Sequence, residues 1–119
     1  MPTQYREDEE VKTVTVAFDV DGTMVRSVAR VQGPNELEAN EDVRNLMRIL
    51  HGFKNVRIIL WSGSGELWAR QAARLAHIEH WVHQYATKTD KSIRADITID
   101  DMEDMSMGTF NLIVGPNEE

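Results

Sequence analysis

The sequence predicts an α/β fold, a three-layer sandwich around a mostly parallel, Rossmann-like sheet of five strands without a cap domain, and three observations lead there. Apolar stretches of strand length alternate along the chain with segments of helical period. The stretches Val11 to Val20 and Val56 to Trp61 are close to continuously apolar over their final residues, as strands buried on both faces of a parallel sheet are. Three strands run directly into polar residues, at Asp19-Val20-Asp21, at Ser62-Gly63 and at Asp100-Asp101. In a doubly wound sheet the carboxyl ends of neighbouring strands open into one crevice, where ligands bind.

The elements follow in order. Residues 1–10 read as a flexible acidic arm, residues 11–115 as the single domain and residues 116–119 as an acidic tail. After the first strand, Gly22-Thr23 forces a turn. Met24 to Leu37 has no sustained period and contains Gly33-Pro34, so it reads as a loop or short hairpin, a flap at most, with Arg26 and Arg30 as candidates to lean over the site. Asn40, followed by Glu41 and Asp42, begins a helix, because a capping side chain precedes acid in the first turn. Val43, Leu46, Met47 and Leu50 give it one apolar face, and Gly52 ends it. The strand Val56 to Trp61 ends in Ser62-Gly63-Ser64-Gly65. Helical period then returns from Glu66, with Trp68, Ala72, Leu75 and Ala76 inward and Arg70, Gln71 and Arg74 outward. Trp81 to Ala86 is a weaker third strand, Thr87 to Arg94 a polar connection carrying Lys88 and Lys91, and Asp96 to Ile99 the fourth strand. A helical turn over Met102 to Met107 and a fifth strand over Thr109 to Val114 complete the chain.

Composition narrows the function classes. A chain of 119 residues holds one domain with an ordinary core. No apolar run approaches the roughly 20 residues a membrane helix needs, and the polar, acidic start is no secretory leader. Without cysteine there is neither a disulfide framework nor a thiolate metal site, which fits a reducing, cytoplasmic setting. The net charge of -7 argues against tight, sequence-independent binding to nucleic acid, whose affinity comes from neutralised phosphates.

The chemistry starts at Asp19 and Asp21. The two residues share a strand face, but Asp21 lies where the strand gives way to the turn, so the carboxylates can converge without stacking rigidly. Two carboxylates about 4 Å apart repel by roughly 4 kcal/mol at an effective dielectric of about 20, so they need a cation, a shared proton or separation. A hard divalent ion meets that need; a solvated Asp-x-Asp-Gly turn is the bland alternative.

Asp19-Val20-Asp21-Gly22-Thr23, Ile58-Ile59-Leu60-Trp61-Ser62-Gly63, Lys88 or Lys91, and Ile97-Thr98-Ile99-Asp100-Asp101 occur in the order of the four motifs of the haloacid dehalogenase superfamily of phosphohydrolases, and the chain resembles a capless member of it. The start Phe18-Asp19-Val20-Asp21-Gly22-Thr23 and the ending Ile99-Asp100-Asp101 also resemble, more loosely, the phosphatase domain of phage polynucleotide kinase phosphatase. The resemblance implies a magnesium-dependent phosphomonoester hydrolase with Asp19 as nucleophile and Asp21 as general acid and base. It implies Mg2+ held by Asp19, Asp21 through its main-chain carbonyl, Asp100 and Asp101, with Asp104 an alternative partner for Asp100. Ser62, the Gly63 amide, the Val20 and Gly22 amides and a lysine would hold the phosphoryl group. The resemblance favours Lys91, because in small members of the family the lysine lies only a few residues before the fourth strand, while Lys88 ends the third strand and could reach equally well. The implied partner is a phosphorylated small molecule or macromolecule, including a nucleic-acid 3'-phosphate end, and a second copy of the chain could stand in for the cap. A binding module that has kept the fold and lost turnover is the rival from another class.

Other features read as structural. His77, His80 and His83 straddle a helix end and a strand, which suits surface histidines better than a zinc site. Trp61, Trp68 and Trp81 read as core or rim packing. Ser62-Gly63-Ser64-Gly65 lacks the lysine and spacing of a P-loop.

Overall fold

The computed structural model describes residues 12–27, 37–101 and 108–114. The acidic arm, Arg30, the turn over 102–107 with Asp104, and the tail lie outside the described residues. Among the described residues seven strands and two helices run in the order β1 (Val14–Asp19), β2 (Val25–Ser27), β3 (Leu37–Ala39), α1 (Glu41–His51), β4 (Val56–Ser62), α2 (Glu66–Leu75), β5 (Gln84–Thr87), β6 (Ala95–Asp100) and β7 (Gly108–Ile113). Five of them form one sheet in the order β5-β4-β1-β6-β7, and every neighbouring pair is parallel. The expected α/β architecture is therefore present, with β1 at the centre.

Strand periodicity divides β1 between two environments. Val16, Phe18 and Val20 point to one face and meet Ile58, Leu60 and Ile99 from neighbouring strands. Val43 and Met47 of α1 and Ala69, Ala72 and Ala73 of α2 cover the same face and complete the main core. On the other face Ala17, Ile59, Trp61, Ala86 and Ala95 form a second cluster, against which Ile93 from the connection 88–94 packs. The layers are thus helices, sheet and that connection. No helix among the described residues is long and apolar enough to cross a membrane.

Both helices start as their sequences require. The Asn40 side chain accepts hydrogen bonds from the Asp42 and Val43 amides, at 3.1 and 3.3 Å, satisfying two of the donors that a helix start leaves without intrahelical partners. Gly65 opens α2 at φ +114° and has no capping side chain, so the cap comes from another strand: Thr87 Oγ1 accepts from the Glu66 amide at 3.1 Å. The inner face of α2 needs one correction. Alanines 69, 72 and 73 are buried and let the helix lie close to the sheet, whereas Leu75, expected inside, is 39% exposed.

The third sheet strand also shifts. Trp81 belongs to a 3-10 turn at Glu79–Trp81, and pairing with β4 begins only at His83 and Gln84. His83 sets that start twice: its amide donates to Ile58 O at 2.9 Å and its Nδ1 accepts from the Ile58 amide at 2.8 Å. Trp81 instead packs at the edge of the main core, with the Arg44 guanidinium 5.2 Å from its ring centroid. Of the segment after the first turn, β2 and β3 pair antiparallel and are tied by an Arg26–Glu38 ion pair, and residues 28–36 between them lie outside the described residues.

Candidate acidic site at the carboxyl end of the sheet

The side-chain alternation that sends Phe18 into the main core sends Asp19 to the opposite face, with Ala17 behind it. Its register partner on β4 is Trp61, and Ser62 at the end of that strand lies opposite Thr87. On the other flank β6 ends at Asp100, followed by Asp101. Asp19 and Asp100 are buried and Asp101 is half-buried, and one carboxylate oxygen from each lies within 4.8 Å of the others.

The turn after β1 holds this arrangement. The Met24 and Val25 amides both donate to Val20 O at 3.0 Å, and the Gly22 amide donates to Val25 O at 2.8 Å. Gly22 sits at φ +82°, in the left-handed region, and a Cβ on it would stand 2.3 Å from Asp101 Oδ2. Glycine is therefore required for its backbone angle and again for the space the carboxylate occupies. Thr23 is fully buried; its hydroxyl donates to Asp19 Oδ2 at 3.0 Å and lies 3.4 Å from Asp101 Oδ1.

Lys88 balances the charge. Its backbone N–H donates to Ser62 O at 2.9 Å, fixing the turn after β5, and its buried ammonium donates to Asp19 Oδ1 at 3.2 Å and to Asp100 Oδ2. Burial raises the Asp19 carboxyl to about 6, with the Asp100 charge pushing the same way, although Lys88 and Thr23 pull it down. Burial also raises the Asp101 carboxyl, helped by its hydrogen bond with Asp100. For Lys88 burial works against the charged form, but the hydrogen bond to Asp100 and the charges of both carboxylates outweigh it and the ammonium is held above its ordinary value. With the three carboxylates ionised, the group and Lys88 together carry two negative charges, the complement of one divalent cation.

Asp21 stands apart from that group. Its carboxylate is exposed and accepts from Trp68 Nε1–H at 3.1 and 3.2 Å, one distance to each oxygen, while Ser62 Oγ lies 3.4 Å from Oδ2. The buried Ser62 hydroxyl also accepts from the Ser64 amide at 2.9 Å. Gly63 is exposed at the mouth, with nothing within 4 Å of where a Cβ would stand. Comparison of the chain with known family models, curated proteins and solved structures gives no match. The candidate site therefore rests on its own geometry.

Several sequence expectations change here. Of the two lysines, Lys88 enters the cluster and the preferred Lys91 does not: Lys91 is exposed in the turn that follows and lines a cavity of about 200 Å³ with Trp61, Lys88, Thr89, Asp90 and Ile93. The reason is register, since only the residue directly after β5 is pinned to Ser62 O and aimed across β4 toward β1. The Gly22 amide, expected on a phosphoryl oxygen, is already committed to Val25 O. Arg26 pairs with Glu38, and no histidine joins the acidic group among the described residues. Thr23 and Trp68 are the participants that sequence reasoning missed. Thr23 follows the Asp-x-Asp-Gly run and could have been suspected from it; Trp68 carries no sequence signal that separates it from a packing residue.

Proposed function

We propose that the chain is a magnesium-dependent phosphomonoester hydrolase of the haloacid dehalogenase kind, working through an aspartyl-phosphate on Asp19. The observation that carries the reading is the convergence of Asp19, Asp100 and Asp101 around a buried lysine at the carboxyl end of the central strands. An all-oxygen donor set suits a hard cation, and Asp19, Asp100 and Asp101 would hold Mg2+. Bound there, magnesium would offset the repulsion between a phosphate dianion and the carboxylates.

The chain's own residues account for the rest. A carboxylate oxygen of Asp19 attacks phosphorus, the bond to the ester oxygen breaks, and Asp21 gives that oxygen a proton. Water then attacks the phosphoryl group, the bond to Asp19 breaks, and Asp21 takes up the water's proton, returning both residues to their starting states. Lys88 neutralises charge that develops on the phosphoryl oxygens. Thr23 orients Asp19 through Oδ2, and the Ser62-Gly63 turn at the start of α2 offers donors at the mouth of the crevice. The phosphorylated substrate is a small molecule or a macromolecule, and no cap covers the site among the described residues.

The test is phosphate release from a generic aryl phosphate, with and without magnesium, by the wild type and by Asp19→Asn. Turnover that needs magnesium and falls by at least about a thousandfold in the variant agrees with the reading. Magnesium binding without turnover on a broad panel of phosphate esters would replace it with a binding module.

A further inference from the structure

We propose that Trp68 is a positioning residue for Asp21, its indole N–H fixing where that carboxyl delivers and takes up a proton. The inference rests on the phosphohydrolase reading above. Asp19, Asp100 and Asp101 repel a fourth carboxylate, and Asp21 duly lies on the exposed rim, outside their group. What holds it there is a neutral donor: Trp68 Nε1–H sits 3.1 Å from Oδ1 and 3.2 Å from Oδ2. A donor placed between both oxygens restrains rotation of the carboxylate plane, which a contact to one oxygen does not. Ser62 Oγ approaches Oδ2 from the end of β4 and marks the same orientation.

The anchor itself is rigid. Trp68 lies in the first turn of α2, its ring packs against the main core, and its neighbour Ala69 is buried beneath the helix. A hydrogen bond to an ionised acceptor is among the stronger ones, yet an indole adds no positive charge at the rim. Trp68 therefore orients the carboxyl without placing a charge beside it.

Trp68→Phe keeps the ring's packing and removes the donor. The expected result is a kcat/KM lowered roughly 10- to 100-fold on an alkyl phosphate, whose leaving oxygen needs the proton, and less than about 3-fold on an aryl phosphate of an acidic phenol. Magnesium affinity by calorimetry stays at the wild-type value, because the Trp68 indole N–H is given to the Asp21 carboxylate, outside the group of Asp19, Asp100 and Asp101. Asp21→Asn shows the same dependence on leaving group, and the double variant is no worse than Asp21→Asn alone. Equal losses on both substrates, or additive losses in the double variant, overturn the proposal. The contact has a readout that needs no turnover: the indole N–H resonance lost in Trp68→Phe should shift in Asp21→Asn, and indifference to that change overturns it. A wild type that cleaves no phosphate ester, with the indole response intact, instead overturns the phosphohydrolase reading and the catalytic role built on it.

Discussion

The two faces of the sheet are built from the same strands and do opposite work. Toward the helices, β1 presents Val16 and Phe18, followed by Val20 just past its end, and the packing there is apolar and closed, with Met47 and Ile58 fully buried. Toward the connection 88–94 the same strand presents Ala17 and then Asp19, and the neighbouring strands present Trp61 and Thr98 and end in Asp100. Ala17, Ala86 and Ala95 leave room there, and Lys88 and Thr23 bond the buried carboxylates of Asp19 and Asp100, while the buried Trp61 indole N–H has no partner among the described residues. A period of two residues is thus enough to separate stability from chemistry within six residues of one strand. Substitutions on the two faces should accordingly fail in different ways.

The largest separation is expected between Lys88→Met and Met47→Ala. Removing the ammonium leaves Asp19 and Asp100 buried without their cation, which costs about 3–5 kcal/mol near neutral pH and abolishes phosphate release even in molecules that remain folded. Met47→Ala opens a cavity under α1 and costs about 2–5 kcal/mol, yet leaves activity per folded molecule unchanged. Denaturant titration alongside activity corrected for folded fraction tests the pair, with Lys91→Met as a control that changes either quantity little. A Met47→Ala variant that binds magnesium and substrate less well when fully folded would break the comparison.

Gly22→Ala comes next. It forces a side chain into the left-handed region, at a cost of about 1–3 kcal/mol, and drives the new methyl into Asp101. Magnesium affinity should fall by roughly 10- to 100-fold, measured by calorimetry, with the helical face unaffected.

The smallest effect is the pH dependence of the metal-free protein. Because the folded Asp19 carboxyl is raised from 3.8 to about 6, the folded state holds its proton more tightly than the unfolded chain. That contribution to stability is fully present below the unfolded value and is lost as pH rises through about 6. Magnesium needs the ionised carboxylate, so its binding strengthens over the same interval. Thermal melts at pH 5 and 7, with and without magnesium, should show the larger magnesium-induced rise at pH 7; the reverse order would argue against Asp19 as a ligand.

How much of this the sequence made legible follows from the physics of each element. The apolar runs ending in Asp19, Ser62 and Asp100 were readable because a parallel sheet buries both strand faces and gathers strand ends into one crevice. Asn40 was readable because a capping side chain acts locally. Lys88 and Lys91 stand three residues apart in a polar connection with no period, so only the hydrogen bond between the Lys88 amide and Ser62 O separates them. Leu75 and Trp81 misled because apolar character alone says nothing about where a helix ends and a strand begins to pair. The Trp68 contact with Asp21 joins residues 47 positions apart and depends on how α2 sits on the sheet, which no local pattern encodes.

The most direct test of the central claim is acid quenching of the protein incubated with a phosphate ester and magnesium, followed by mass mapping of the peptide that carries Asp19. The account predicts a phosphoryl adduct on Asp19 that accumulates with substrate and magnesium and is missing from Asp19→Asn. Rapid turnover with no adduct at any quench time, or an Asp19→Asn variant that still releases phosphate at the wild-type rate, would contradict it.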